Sequence, residues 1–147
     1  MTNSITKEIE ISAPVSRVWQ ALTDHEQFEQ WFRIKLEGPF RLQEITRGKF
    51  THPGFEHVKW EATVTAIEPE HRFAFTWHPY AVEANTDYSK EEPTLVEFTL
   101  QPTSGGTLLR VVESGFDKIP AGRRPEALRM NTHGWETQMK NIKQHVE

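Results

Sequence analysis

Histidines are the first residues in this chain that could do chemistry, because imidazole is a frequent metal ligand. There are seven of them. His52 and His57 stand on either side of a Pro-Gly turn, and His78 is expected at a nearby strand end. No pair has HxxxH or HExxH spacing, and no carboxylate stands at a recognised metal-ligand offset. We therefore predict surface histidines, no metal site and no cofactor.

Nucleophilic catalysis also lacks a candidate residue. The chain has no cysteine, and Ser114 lacks the flanking glycines of a nucleophile elbow. The Gly105-Gly106 pair predicts a hairpin turn, since its surroundings do not form a phosphate-binding loop. No catalytic residue is therefore predicted, and a binding protein is favoured over an enzyme.

Glu113 is the ionisable residue with the most unusual predicted position. Leu109 and Val111 share its parity on the last predicted strand, which runs from Thr107 to Ser114. If those two side chains face the core, Glu113 also points inward, where a carboxylate must be paired, hydrated or protonated. Alternatively, the strand frays before Glu113 and the side chain is in water.

The substitution Glu113→Gln separates the partners that a buried carboxylate could have. Without a cationic partner, the substitution is expected to stabilise the protein near neutral pH, because an uncompensated charge is removed from the interior. If a cation such as Arg129 pairs with Glu113, the same change is expected to cost about 3–5 kcal/mol.

Large aromatic side chains are the remaining feature with functional meaning. Rings that face one another across a sheet and a helix can fill a core, and they can also hold a cavity open. The pattern leaves both alternatives open. The aromatic residues on predicted inner faces are Trp60, Phe73, Phe75, Trp77, Phe98 and Trp135.

The element that must position these residues is a long helix from Pro125 to Glu147. A stripe of apolar side chains recurs there at intervals of three, four and seven residues, and Pro125 suits the first turn. Gly134 interrupts the helix at a cost of about 1 kcal/mol relative to alanine. Close packing against a neighbouring backbone is the favoured explanation; space left for a ligand is the alternative. The stripe consists of Leu128, Trp135, Met139, Ile142 and Val146.

Most of the chain before this helix alternates between apolar and polar residues, which predicts antiparallel strands joined by short turns. Two short helices are predicted after the first strand, beginning near Pro14 and Asp24. The polar segment from His78 to Pro93 is long for a connection, and we expect a mobile flap near a cavity mouth. Its two tyrosines are Tyr80 and Tyr88.

Composition narrows the class of protein. One domain spanning residues 1–147 is expected for this length. The net charge of -4 argues against nucleic-acid binding, which needs a concentrated basic surface. No segment is apolar enough for membrane insertion, and the first residues do not have the form of a signal peptide. The cytoplasm is therefore the expected location.

Several motifs, in their order along the chain, resemble START-like domains of the SRPBCC superfamily. The branch that they resemble is named after activators of a heat-shock chaperone ATPase. The resemblance covers nearly the whole chain, with residues 36–57 and 78–93 as its least typical parts. The motifs are Ile9-Glu10-Ile11-Ser12-Ala13-Pro14, Val18-Trp19-Gln20-Ala21-Leu22-Thr23-Asp24, Trp31-Phe32, Ala66-Ile67-Glu68-Pro69-Glu70-His71-Arg72-Phe73, Phe75-Thr76-Trp77, Val112-Glu113-Ser114-Gly115-Phe116 and Gly134-Trp135.

The resemblance implies an α+β helix-grip fold, also called START-like or birch-pollen-allergen-like. In this fold a curved antiparallel sheet surrounds the long C-terminal helix, and two short helices follow the first strand. Relatives often enclose an apolar cavity between sheet and helix, but the branch has no shared catalytic motif. The candidate ligand-binding residues lining such a cavity are Trp60, Phe73, Phe75, Trp77, Phe98, Glu113, Gly134, Trp135 and Met139.

Three functions are compatible with this resemblance. Binding of a small apolar or amphipathic molecule is the preferred hypothesis, with a monomer or a weak homodimer as the assembly. A protein-interaction module that contacts a chaperone during stress is the first alternative, and it requires an exposed apolar patch. A cyclase- or hydrolase-type enzyme acting on an apolar substrate is the second, and it requires an ionisable group at the cavity wall.

Overall fold

A seven-stranded antiparallel sheet is the main element of the fold. The computed structural model describes residues 3–79 and 88–147. The strands lie in the order β1-β7-β6-β5-β4-β3-β2, so every hairpin joins neighbours and the first strand closes beside the last. The sheet is curved. The strands are β1 (Ser4–Ile11), β2 (Ile34–Leu36), β3 (Ile45–Phe50), β4 (Lys59–Glu68), β5 (Arg72–Trp77), β6 (Thr94–Thr103) and β7 (Gly106–Ser114).

Three helices complete the helix-grip architecture that the sequence predicts. Two short helices, α1 (Val15–Thr23) and α2 (His25–Phe32), follow β1, and Asp24 caps α2 by accepting a hydrogen bond from a backbone N–H in its first turn. The long helix α3 (Arg124–Val146) begins with a proline in its first turn. Its predicted bounds were correct to within one residue at each end, and the fold prediction is confirmed.

The concave face of the sheet and α3 share one apolar core. Alternation along each strand sends every second side chain to that face, and α3 covers it with its apolar stripe. Of the six aromatic residues predicted on inner faces, Trp77 is partly buried and the other five are at most 2% exposed: Trp60, Phe73, Phe75, Phe98 and Trp135. Two short 3₁₀ turns, Tyr88–Lys90 and Phe116–Lys118, lie in the connections that lead into β6 and α3.

Half of the polar segment predicted to form a flap, residues 80–87, lies outside the described residues, so the flap stays a prediction. Arg123 contacts the described residues on both sides of this gap, because it donates to the side chain of Glu91 at 2.6 Å and to the carbonyl of Pro79 at 2.9 Å. Within residues 3–79 and 88–147, none of the helices has the length and apolarity needed to cross a membrane.

Candidate functional site

A cavity of ≈ 360 Å³ lies between α3 and one end of the sheet. Its walls come from the end of α2, the end of β3, the start of β4, the end of β5 and one face of α3. Five large aromatic rings stand on the side opposite α3, and Trp60 packs edge to face with both Phe32 and Trp77, which restricts the motion of these rings. The aromatic lining residues are Phe32, Phe50, Phe55, Trp60 and Trp77.

The α3 side of the cavity is polar but uncharged. Six residues from three successive turns of the helix supply it on one face, and three of them carry side-chain amides. These residues are Met130, Asn131, Gly134, Thr137, Gln138 and Asn141. An apolar sheet wall therefore faces a hydrogen-bonding helix wall, which is the arrangement expected of a site for a small amphipathic molecule.

Gly134 lines the cavity and has open space beside it. A Cβ built on this residue would have no neighbouring heavy atom within 4 Å, apart from its own helix backbone and chain neighbours. The favoured sequence interpretation, close packing against a strand, is therefore wrong. A side chain is missing at the centre of the helix wall, and its absence enlarges the cavity.

The structure separates the nine candidate lining residues into two groups. Trp60, Trp77 and Gly134 line the cavity. The other six lie deeper, between sheet and helix, where their side chains pack against one another: Phe73, Phe75, Phe98, Glu113, Trp135 and Met139. Both alternatives left open for the aromatic residues are thus found in one molecule. Aromatic side chains fill the core beneath α3 and line a cavity at its end.

Glu113 is fully buried and accepts four hydrogen bonds. The indole Nε1–H of Trp77 donates to its Oε2 at 2.7 Å, and the hydroxyl of Thr94 donates to the same oxygen at 2.5 Å. The amide Nδ2 of Asn131 donates to Oε1 at 2.9 Å, and the indole Nε1–H of Trp135 donates there at 2.8 Å. We call these five residues the Glu113 cluster.

Strand register and helix spacing explain why these groups meet. Trp77 pairs with Thr94 across β5 and β6, and Glu113 pairs with Val96, two residues farther along β6 on the same face. Asn131 and Trp135 are one helical turn apart on α3. The cluster therefore joins three strands to the long helix at the inner end of the cavity, where Trp77 and Asn131 also form part of the wall.

Neutral donors, rather than a cation, satisfy the buried carboxylate. Four donors match the roughly four lone-pair sites of an ionised carboxylate. No described lysine, arginine or histidine pairs with Glu113, and Arg129, the cation considered from the sequence, bonds to Glu126 on the surface instead. The parity argument that pointed Glu113 inward was correct, but its partners were not foreseen.

A second chain of hydrogen bonds orders the amides farther along α3. Gln138 Nε2 donates to the backbone carbonyl of Phe32 at 3.1 Å, which fixes the direction of the Gln138 amide. Its Oε1 in turn accepts from Nδ2 of Asn141 at 3.1 Å. The first bond joins the helix wall of the cavity to the end of α2, and the second joins two residues of that wall.

Charged residues stand at the rim of the cavity. Arg33, Lys59 and Glu61 are exposed lining residues, and Glu61 is 3.6 Å from Arg47 on the neighbouring strand. The described part of the chain contains no group of three or more metal-ligating side chains. The indole N–H of Trp60, a residue only 2% exposed at the cavity wall, is buried and has no hydrogen-bond partner among the described residues.

Sequence reasoning missed most of the helix wall. Asn131, Gln138 and Asn141 are polar residues on a helix, a pattern that ordinarily indicates a face in water. The available signal was that no charge occurs at these positions, whereas the rest of the exposed surface of α3 carries many charges.

The comparison with known families agrees with this geometry. The family profile described as "Activator of Hsp90 ATPase homolog 1-like protein" matches residues 12–147. This chain belongs to that family. The resemblance inferred from the motifs is thereby confirmed, and family membership supports a fold of the ligand-binding type. No curated protein matches the chain significantly.

Solved structures of similar bacterial proteins share the fold over nearly their whole length. A protein from Mesorhizobium loti has a TM-score of 0.77 at 25% identity, with 97% of this chain and 96% of that chain covered. A Chromobacterium violaceum protein gives 0.74 at 23% identity, covering 100% and 99%. The solution structure of the Aha1 dimer from Colwellia psychrerythraea gives 0.73 at 19% identity, covering 100% and 97%. The last two likenesses, both under 25% identity, concern the fold alone.

Proposed function

We propose that this protein binds a small, largely apolar molecule in the cavity between α3 and the sheet, without transforming it. The observation that carries the proposal is the open space at Gly134, opposite a wall of rigid aromatic rings. A volume of ≈ 360 Å³ is within the range of cavities that hold small ligands. A protein selected for helix stability alone would have alanine there, because glycine inside a helix costs about 1 kcal/mol relative to alanine.

A non-catalytic role is supported by the position of the ionisable groups. Glu113 is enclosed by four donors and does not line the cavity, so it is not available to a bound molecule. His52 and His78 do line it, but the described residues place no second acid or base in a hydrogen bond with either ring.

Contact with a chaperone has less support than ligand binding. Such contact requires an exposed apolar patch, and three large apolar side chains are exposed among the described residues: Leu42, Ile45 and Phe55. Phe55 belongs to the cavity wall. We further propose a cytoplasmic monomer or weak homodimer; the dimeric state of the Colwellia psychrerythraea relative motivates the second form.

The test places a larger side chain at Gly134, so that it occupies the cavity, and measures the affinity for a small apolar dye. The neutral dye N-phenyl-1-naphthylamine is titrated into the protein, and its fluorescence gives the affinity. We expect Gly134→Leu to weaken binding at least about tenfold, because the new side chain occupies the ligand's space. Lys140→Leu places the same residue on an exposed part of the same helix and should leave the affinity unchanged.

Native mass spectrometry of freshly purified protein provides an independent measurement. A retained small molecule in the wild type that is absent from Gly134→Leu would support the proposal. Equal dye affinities for the two leucine variants, together with no retained molecule, would refute it. Circular dichroism of both variants establishes that each is folded.

A further inference from the structure

The direction of each amide on the helix wall is fixed by a partner that can only accept. The carboxylate of Glu113 accepts a hydrogen bond from Nδ2 of Asn131, so the carbonyl oxygen Oδ1 of Asn131 points away from Glu113. The carbonyl of Phe32 accepts from Nε2 of Gln138, and Oε1 of Gln138 accepts in turn from Nδ2 of Asn141. In both chains the last free group is the carbonyl oxygen of an asparagine that lines the cavity.

These two oxygens are open to a bound molecule. Oδ1 of Asn131 and Oδ1 of Asn141 accept no hydrogen bond from the described residues, and neither is an enclosed atom without a partner. Both residues line the cavity. Each oxygen is therefore an acceptor without a described partner, on a residue that lines the space which the proposed ligand would occupy.

Two further polar groups of the cavity wall are held by partners that can only accept. The indole N–H of Trp77 is already donated to Glu113. Nε2 of His78 lies 2.9 Å from the carbonyl of Glu91, so this nitrogen carries the proton and, in the neutral ring, Nδ1 is left as an acceptor. The wall therefore keeps open acceptors beside one buried donor without a described partner, the indole N–H of Trp60, and the exposed cations Arg33 and Lys59.

We infer that the ligand is an uncharged molecule with an apolar body and a hydroxyl or amine N–H that donates to the carbonyl oxygens of Asn131 and Asn141. This inference rests on the proposed function and names the chemical class that the same cavity selects. A ligand without a donor would leave these acceptors desolvated and unpaired, which costs free energy. The Glu113 cluster has a positioning role, because its carboxylate sets the direction of the Asn131 amide.

An acidic ligand is the competing class, since Arg33 and Lys59 are exposed at the rim. Neither cation is paired with a described carboxylate. Both lie where water screens their charge, however, and exposed ion pairs contribute little. The open acceptors on the helix wall would in addition repel a carboxylate placed beside them.

The test uses three biphenyl probes of similar shape, titrated by calorimetry at neutral pH. The first, 4-phenylphenol, carries a donor; the second, 4-methylbiphenyl, has a methyl group in its place; the third, biphenyl-4-carboxylate, is an anion. Asn131→Ala and Asn141→Ala each remove one open acceptor. Asn141→Ala leaves the Glu113 cluster intact, so it stays informative if Asn131→Ala is unstable. Met130→Leu alters the same wall without changing a hydrogen-bonding group.

We expect at least one of the two alanine variants to lose about 3- to 10-fold in affinity for 4-phenylphenol, the equivalent of one neutral hydrogen bond. The same variant should change by less than about twofold for 4-methylbiphenyl. We compare the change in affinity that each variant causes for one probe with the change for the other, so the greater apolar character of the methyl probe cancels. Met130→Leu should change both affinities by the same factor.

Each other outcome identifies which idea fails. If none of the probes binds the wild type, the proposed function itself is refuted. If 4-phenylphenol and 4-methylbiphenyl bind and every variant changes both affinities equally, the cavity binds ligands but the donor inference is overturned. Tighter binding of biphenyl-4-carboxylate that is lost in Arg33→Gln would overturn it in favour of an acidic ligand.

Discussion

Replacing Glu113 by glutamine tests whether a buried carboxylate can be held by neutral donors alone. In the folded protein its Oε2 accepts from Trp77 and Thr94, and its Oε1 accepts from Asn131 and Trp135. Glutamine would have to place an NH₂ group at one of these two positions. The hydroxyl of Thr94 and the amide of Asn131 can reverse their roles and accept, but an indole N–H can only donate.

Either orientation of the glutamine therefore leaves one indole N–H without an acceptor. A buried donor without a partner costs about 1–3 kcal/mol, and the surviving hydrogen bonds weaken because their acceptor is no longer charged. Removal of the charge from the interior offsets part of this cost. We expect Glu113→Gln to lower the free energy of unfolding by about 1–3 kcal/mol. This reverses the stabilisation expected from the sequence for a carboxylate without a cation.

Urea unfolding at pH 7, followed by tryptophan fluorescence, measures this loss. With a slope of about 2 kcal/mol per M, the midpoint should fall by about 0.5–1.5 M. Glu8→Gln is the matched control, because Glu8 is an exposed carboxylate on β1 whose partner is Arg110, and its loss should change stability by less than about 1 kcal/mol. A Glu113→Gln protein as stable as the wild type, or more stable, would refute the account of the cluster.

Three further predictions concern stability. Gly134→Ala should raise the free energy of unfolding by up to about 1 kcal/mol, since alanine favours the helix and its Cβ meets open space. Gly106→Ala should lower the free energy of unfolding by about 2–5 kcal/mol, because its φ is 146° and the new Cβ would lie 2.2 Å from a backbone oxygen of β1. Gly105→Ala is the control and should cost less, because its Cβ would displace only a flexible side chain. Burial, and secondarily the charge of Arg17, lower the pKa of His145 in the folded protein. The unfolded chain therefore binds this proton more readily, so the free energy of unfolding should rise with pH until the pH reaches the ordinary histidine pKa of about 6.5. His145→Gln should not show this rise.

Urea unfolding checks all three, with a pH series for the last. A destabilised Gly134→Ala would show that a neighbour fills the space beside the helix. Equal losses at Gly105 and Gly106 would contradict the argument from backbone conformation. A pH dependence that is the same in His145→Gln and in the wild type would assign that dependence to other groups.

Much of the fold could be predicted because one physical rule repeats in every element. A strand with one buried face must alternate, so Trp60, Phe73, Phe75 and Phe98 could each be placed inside from parity alone. The partners of Glu113 could not be predicted in this way. They come from β5, β6 and two turns of α3, and only the register of the sheet brings them together.

The faces of α3 show why the cavity was harder to predict than the core. Side chains such as Trp135 and Met139 mark the core face by their apolar character. Charged residues mark the face in water. The third face carries uncharged hydrogen-bonding side chains around a glycine, and hydropathy alone does not distinguish such a face from one in water. The difference is that its amides are held by fixed acceptors, as Asn131 is held by Glu113. A helix face without charges, centred on a glycine that costs the helix stability, is therefore the sequence pattern that indicates a binding wall in this fold.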